Sequence, residues 1–152
     1  MIEPGTPVPD FTLRREDGSP FTPADLEGRR TVMVFYPFAF SEVCTDQLGL
    51  YEDVRDEFAA QGATLVAISC DASPSQTAFR TSLGVSIEQL SDFEPKGETC
   101  RALGVYHEAG MPQRALVLVG PDRVVRWSWM GEHPGVLPGA NLIFDALARE
   151  AD

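Results

Sequence analysis

Residues 31–54, TVMVFYPFAFSEVCTDQLGLYEDV, contain the transition that decides the fold. The segment begins as an almost continuous apolar run, rich in β-branched and aromatic residues, which is typical of a strand buried on both faces. From about residue 41 to residue 61, apolar residues recur every three or four positions with acidic residues between them, which predicts a helix. Cys44 is therefore expected in the first turn of a helix that follows a buried strand.

The rest of the chain repeats these two patterns. Strands are predicted at residues 10–15, 63–71 and 87–91, and at two segments of residues 114–130 on either side of a Gly-Pro-Asp turn. Helices are predicted at residues 73–84, with Ser73 as the N-cap, and at residues 94–104 and 137–150. This order predicts an α/β fold in which helices flank both faces of a central mixed sheet, within a single domain spanning residues 1–152.

The net charge of the chain limits the classes of molecule that it is expected to bind. The chain has 12 basic and 23 acidic residues and a formal net charge of −11. An acidic surface repels nucleic acids and anionic membranes, so we expect neither as a partner. No apolar run reaches the roughly 20 residues of a membrane span, and the first residues do not resemble a signal peptide. We therefore expect a cytoplasmic protein.

Three cysteines, Cys44, Cys70 and Cys100, and two histidines, His107 and His133, are the other groups of chemical interest. The chain has no C-x-x-C pair, and neither histidine lies at metal-ligand spacing from a cysteine. We therefore expect no metal and no cofactor, and we interpret both histidines as surface loop residues.

Cys44 has the local setting of a reactive thiol. Only the thiolate is an effective nucleophile, and the unpaired N–H groups of a first helical turn stabilise an anion. The Ser41 hydroxyl is close enough in sequence to donate to that anion or to a bound oxygen, while Pro37 stiffens the preceding loop and can shield the sulfur. The alternative is an inert buried thiol, which is the commoner role of a lone cysteine.

PFAFSEVC, residues 37–44, resembles the peroxiredoxin active-site signature P-x-x-x-(T/S)-x-x-C. The resemblance extends in order through VPDFTLRREDG, LSDFEPKGETCRALGVY and QRALVLVGPDRVVRW. It is closest to the short, one-cysteine alkyl hydroperoxide reductase E-like branch of actinobacteria. The resemblance implies a thioredoxin-like fold and a peroxidase that reduces hydrogen peroxide and small organic hydroperoxides.

The resemblance also implies a role for each matched residue. Cys44 corresponds to the peroxidatic cysteine, which becomes a sulfenic acid, and Ser41 to the residue that hydrogen-bonds the substrate oxygens. Pro37 corresponds to the shielding proline, and Arg114 to the arginine that pairs with the thiolate. Gln47, one turn after Cys44, either supports this network or is a solvated helix position.

The sulfenic acid must then be reduced by a second thiol. The family's resolving position five residues after the peroxidatic cysteine is Gly49 here, and the last residues, AREAD, contain no cysteine. Cys70 is expected to be a packed core thiol, and Cys100 is a possible resolving cysteine. The leading interpretation is a one-cysteine enzyme reduced by an external small thiol or redoxin, and the resemblance implies that this reductant is mycothiol with mycoredoxin, or thioredoxin.

Two other functions are compatible with a thiol at this position. One is a monothiol, thioredoxin-like disulfide oxidoreductase, in which Ser41 replaces the first cysteine of C-x-x-C. The other is a redox sensor. The resemblance also implies a homodimer formed through the active-site loop, where Phe38 and Phe40 would wall the peroxide pocket or contribute to the interface.

Overall fold

The computed structural model describes residues 1–150 and confirms the predicted mixed sheet flanked by helices. The strands are β1 (Leu13–Arg15), β2 (Pro20–Phe21), β3 (Arg30–Phe35), β4 (Ala63–Ser69), β5 (Glu88–Ser91), β6 (Tyr106–His107), β7 (Met111–Pro112), β8 (Ala115–Val119) and β9 (Val125–Met130). Seven of them form one sheet in the order β2-β1-β5-β4-β3-β8-β9, while β6 and β7 form a separate pair. None of the helices within residues 1–150 is long and apolar enough to span a membrane.

The helices are α1 (Glu42–Asp53), α2 (Arg55–Ala60), α3 (Ser73–Leu83), α4 (Glu98–Ala102) and α5 (Ala140–Arg149), with a 3-10 turn at Pro23–Leu26. The helix predicted to run unbroken to residue 61 is interrupted at Val54, whose ψ of 19° lies outside the helical range. The prediction that Ser73 caps α3 is wrong by one residue, because the cap is Ala72 and Ser73 is already helical. Gly84 ends α3 with a φ of 67°, as expected for a glycine at this position.

Strand pairing brings distant parts of the chain together at one edge of the sheet. β3 runs parallel to β4, and β4 runs parallel to β5, so these three strands end at the same edge. β8 runs antiparallel to β3, and Phe35 at the end of β3 pairs with Ala115 at the start of β8. The residue before β8 therefore lies beside the loop that leads into α1.

The sheet separates two apolar cores, because alternate residues of a strand point to opposite faces. In β3, Val32 and Val34 belong to the core that contains Cys44, and α1, α2, α3 and α5 cover that face. Met33 and Phe35 belong to the core on the other face, which also contains Cys70 and Cys100. The three thiols are thus divided between the two faces of the sheet.

Candidate active site

Cys44 lies in the first turn of α1, as predicted. The first hydrogen bond of the helix joins the Thr45 N–H to the Ser41 carbonyl at 2.9 Å, so the three N–H groups before Thr45 lack partners within the helix. Cys44 is fully buried. The sulfur is therefore held in a dry site near the positive end of a helix, where an anion is stabilised.

Arg114 supplies a cation to the same sulfur. Its Nη2 donates to Cys44 Sγ at 3.1 Å, although the two residues are far apart in sequence. Its Nε donates to the Pro134 carbonyl at 2.7 Å, and the residue is only 2% exposed. Because the guanidinium stays protonated and is fixed from several sides, it is organised in advance to stabilise a thiolate.

Gln47 forms a buried cluster with Cys44 and Arg114, and its own side chain is fully buried. Its Oε1 accepts a hydrogen bond from Arg114 Nη1 at 2.5 Å. Its Nε2 donates to the Tyr51 hydroxyl at 3.2 Å, and that hydroxyl donates to the Pro138 carbonyl at 2.8 Å. Of the two sequence interpretations of Gln47, the structure confirms the supporting contact and excludes a solvated position.

Tyr51 was not identified from the sequence as a site residue. It follows Gln47 by four residues, so the two side chains share one helix face, but this spacing also suits an ordinary core tyrosine. Burial raises its pKa to about 12, against the opposing effects of the Gln47 hydrogen bond and the Arg114 charge. The phenol therefore stays protonated in neutral solution and anchors Gln47 to the segment before α5.

Ser41 caps α1 without using its hydroxyl for that purpose. The Oγ atom is buried, and among residues 1–150 it has no hydrogen-bond partner. A buried, unpaired hydroxyl costs about 1–3 kcal/mol, which makes it a good donor or acceptor for a bound oxygen. It precedes Cys44 by one helical turn, so it can serve a substrate that approaches the sulfur.

The loop before Ser41 is held in a sharp turn. Pro37 is buried, and Phe40 has a φ of 68°, a left-handed conformation that costs a non-glycine residue roughly 1–2 kcal/mol. The Ala39 N–H donates to Asp71 Oδ2 at 2.8 Å, which fixes the loop to the end of β4. Phe38 and Phe40 remain 48% and 59% exposed, so they flank the site at the surface.

The other predicted groups lie outside this cluster. Cys100 is fully buried and packs with Cys70 on the opposite face of the sheet from Cys44. A resolving role for Cys100 would require a rearrangement across the sheet and stays a prediction. His107 and His133 each accept a backbone N–H two residues later through Nδ1. His133 is an exposed loop residue, as expected, whereas His107 is half-buried in the short strand β6, so the loop prediction was wrong for it.

Comparisons with known proteins agree with this geometry. The AhpC/TSA family profile matches residues 4–128. The chain is 33% identical over 150 residues to alkyl hydroperoxide reductase E of Mycobacterium tuberculosis and of Mycobacterium bovis, an alignment that covers 97% of each chain.

Solved structures support the same assignment. The crystal structure of peroxidoxin BcpB from Mycobacterium tuberculosis has a TM-score of 0.81 and 28% identity, with 97% of this chain and 96% of that chain covered. Enterococcus faecalis AhpC has a TM-score of 0.87 at 23% identity, with 99% and 93% covered, which supports the fold alone. The expected thioredoxin-like fold is thus confirmed, and the chain belongs to the AhpC/TSA family.

Proposed function

We propose that Cys44 is the peroxidatic cysteine of a thiol-dependent peroxidase. The observation that carries this proposal is the 3.1 Å contact between Arg114 Nη2 and Cys44 Sγ inside a buried site. Family membership and the similarity to alkyl hydroperoxide reductase E support the same activity. The proposed substrates are hydrogen peroxide and small organic hydroperoxides, in line with the similarity to alkyl hydroperoxide reductase E.

The first half-reaction follows from the arrangement of the side chains. The Cys44 thiolate attacks one peroxide oxygen, an S–O bond forms, and the O–O bond breaks. Negative charge then develops on the departing oxygen, which leaves as water or an alcohol after it gains a proton. Arg114, the free N–H groups of the first turn and the Ser41 hydroxyl are positioned to stabilise that charge as it develops.

The second half-reaction needs an external thiol. A thiol attacks the Cys44 sulfenic acid, which releases water and forms a mixed disulfide, and a second thiol then regenerates Cys44. The position of Cys70 and Cys100 on the other face of the sheet favours this one-cysteine cycle. Mycothiol with mycoredoxin, or thioredoxin, is the reductant that we propose.

A monothiol disulfide oxidoreductase is the second candidate, because its nucleophile would occupy the same strand-to-helix turn. Disulfide exchange does not require a buried arginine on the attacking sulfur or a buried hydroxyl without a partner, and this chain has both. These two features favour the peroxidase. A redox sensor would use the same thiol but would react slowly.

We also propose a homodimer in the cytoplasm. Phe38 and Phe40 leave large apolar side chains exposed beside the site, and Phe93 is 53% exposed. A second copy of the chain that packs on this loop would cover them and would shield the sulfur further. The cytoplasm is the compartment whose thiol pool can sustain a cycle of this kind.

Single-turnover kinetics test the peroxidase. Fully reduced protein is mixed with one equivalent of hydrogen peroxide in a stopped-flow instrument, and a sulfenic-acid trap locates the oxidised residue by peptide mass spectrometry. We expect a trapped adduct on Cys44 and a rate far above that of a free small-molecule thiol. Cys44→Ser should abolish the fast phase, and Cys70→Ser, the matched control, should retain it. A Cys44 that reacts no faster than a free thiol would exclude the peroxidase and favour the monothiol oxidoreductase or the sensor.

A further inference from the structure

Cys70 and Cys100 form a second thiol site that the proposed cycle does not use. Cys70 directly follows β4, and Cys100 lies in α4. The two Sγ atoms and a carboxylate oxygen of Asp92 all lie within 4.8 Å of one another, and all three residues are buried. A disulfide requires Cα atoms within about 7 Å and Cβ atoms that point toward each other, and two sulfur atoms within 4.8 Å are compatible with that geometry.

Asp92 fixes both sides of this pair. Its N–H donates to the Ser69 carbonyl at 2.8 Å, which ties it to the end of β4 next to Cys70. Its carboxylate accepts the Cys100 N–H at 2.8 Å and the Thr99 N–H at 3.1 Å, which holds the start of α4. The two thiols are therefore adjacent because one residue anchors both backbone segments.

The two thiols differ in access to solvent. Cys70 is 8% exposed and lines a cavity of about 340 Å³ together with Pro37, Asp71 and Lys96. Cys100 is fully buried behind it. A small reagent in the cavity would therefore meet Cys70 first, with Cys100 as the nearest thiol to respond.

The two thiols also differ in acidity, and Cys70, the more exposed of the two, is also the more acidic. The hydrogen bond between them lowers the pKa of Cys70, against the opposing effects of burial and of the Asp92 and Asp71 carboxylates, and the positive charge of Lys96 adds to the lowering. The same hydrogen bond, together with burial, raises the pKa of Cys100. Cys70 is thus the more nucleophilic member, and Cys100 retains its proton and donates to it.

We propose that Cys70 and Cys100 are a second redox site, which a small hydroperoxide entering this cavity oxidises to an intramolecular disulfide. The Cys70 thiolate attacks the peroxide, an S–O bond forms, the O–O bond breaks, and the alcohol or water leaves with a proton. The Cys100 thiol then attacks the Cys70 sulfenic acid, and the S–S bond forms as water leaves. In total, two thiols lose two electrons and two protons to one hydroperoxide.

A metal ion held by the same three side chains is less favourable. Both carboxylate oxygens of Asp92 already accept backbone N–H groups, and the Lys96 ammonium group lines the same cavity and repels a second cation. Neither the occupied Asp92 oxygens nor the Lys96 charge opposes a reaction between a Cys70 thiolate and a peroxide in the cavity. Zinc binding without oxidation is accordingly an outcome that the test must be able to detect.

The test uses the full-length Cys44→Ser variant, so its result does not depend on the proposed peroxidase cycle. Reduced protein is exposed to hydrogen peroxide, and free thiols are counted after denaturing alkylation. We expect both remaining thiols to disappear together, the intact mass to fall by two hydrogen atoms, and digestion to yield a Cys70–Cys100 cross-linked peptide that dithiothreitol cleaves.

Three further variants in the Cys44→Ser background assign the roles. Cys100→Ala should leave a trappable sulfenic acid on Cys70, and Cys70→Ala should leave Cys100 reduced. Both of these substitutions alter the core, so the third variant, Lys96→Met, changes an exposed residue and leaves the packing intact. It should slow disulfide formation several-fold. Any of three results would overturn the proposal. Both thiols remain free after exposure to peroxide, Cys70 oxidises without forming a cross-link, or the protein binds one equivalent of added Zn²⁺ and forms no disulfide on oxidation.

Discussion

Gln47 accepts from Arg114 the shortest hydrogen bond that the guanidinium makes, 2.5 Å against 3.1 Å for its contact with the Cys44 sulfur. A side-chain amide oxygen thus orients the cation that acts on Cys44. Tyr51 in turn fixes the amide, so the site depends on a chain of buried polar groups in which each member satisfies the next.

Gln47→Leu removes the acceptor and leaves one guanidinium nitrogen buried without a partner. Arg114 is then no longer held against Cys44, and because a small misplacement of a group that stabilises the transition state costs up to about 100-fold in rate, we expect the second-order rate constant for hydrogen peroxide to fall by roughly 10- to 100-fold. Stopped-flow kinetics measure the loss. Asp46→Ala, on the exposed side of the same helical turn, is the control and should react like the wild type. Equal effects of the two substitutions would contradict a positioning role for Gln47.

Ser41→Ala separates catalysis from stability. Because Ser41 Oγ is buried and has no hydrogen-bond partner within residues 1–150, its removal should raise the free energy of unfolding by up to about 1–3 kcal/mol or leave it unchanged. The peroxide rate constant should nevertheless fall roughly 10-fold or more, since a donor to the developing charge is lost. Chemical denaturation and stopped-flow kinetics provide the two readouts, and Ser41→Thr, which keeps the hydroxyl, should restore most of the rate. A stability loss that matches the rate loss would assign Ser41 a structural role instead.

Tyr51 makes the protein sensitive to alkali. Its pKa rises from 10.0 in the unfolded chain to about 12 in the fold, so above pH 10 the unfolded chain binds fewer protons and stability falls as pH rises. The contribution is complete below pH 10 and declines by at most about 1.4 kcal/mol per pH unit until about pH 12. Burial raises the pKa of Tyr36 in the same direction.

Urea denaturation at several pH values above 9 measures this slope. In Tyr51→Phe, the loss of stability with pH should be shallower than in the wild type, because the variant keeps the buried phenol of Tyr36 but lacks that of Tyr51. A slope that does not change on substitution would mean that other groups control the alkaline limit.

Gly97 and Gly84 form a matched pair for backbone strain. Both have left-handed φ values, 71° and 67°, so Gly→Ala at either position should cost roughly 1 kcal/mol from the backbone alone. At Gly84 a Cβ atom would meet nothing within 4 Å, whereas at Gly97 it would overlap the ring of Tyr106. We expect Gly97→Ala to be destabilised by at least 1 kcal/mol more than Gly84→Ala, measured by urea denaturation. Equal costs would show that the Tyr106 ring moves aside freely.

The parts of this structure that follow local rules were predictable from the sequence. The buried strand β3, the helix that places Cys44 in its first turn and the left-handed Gly84 after α3 each depend on neighbouring residues, and each is confirmed. The prediction that Ser73 is the N-cap of α3 was wrong because an adjacent serine and proline are compatible with two helix starts. The serine can be the cap with the proline as the first helical residue, or, as found here, the serine and the proline can be the first two helical residues. Gln76, three residues after Ser73, donates to the Ser69 hydroxyl and to the Leu90 carbonyl in the core.

The parts that follow from strand order were not predictable in the same way. A helix with many acidic residues gives no local sign that Gln47 is buried, because only the neighbouring segment before α5 closes over it. The proximity of Cys70 and Cys100 likewise depends on the pairing of β4 with β5, which no short motif specifies. Arg114 was identifiable only through a family resemblance.

The complete burial of Cys44 closes the resting site to reactants of every size, because the residue presents no surface to solvent. In the proposed cycle, hydrogen peroxide and the reducing thiol would therefore both reach the sulfur only after the loop of residues 37–41 or the first turn of α1 moves. The larger thiol needs the wider opening, so a stiff segment here would slow the reducing step more than the oxidising step.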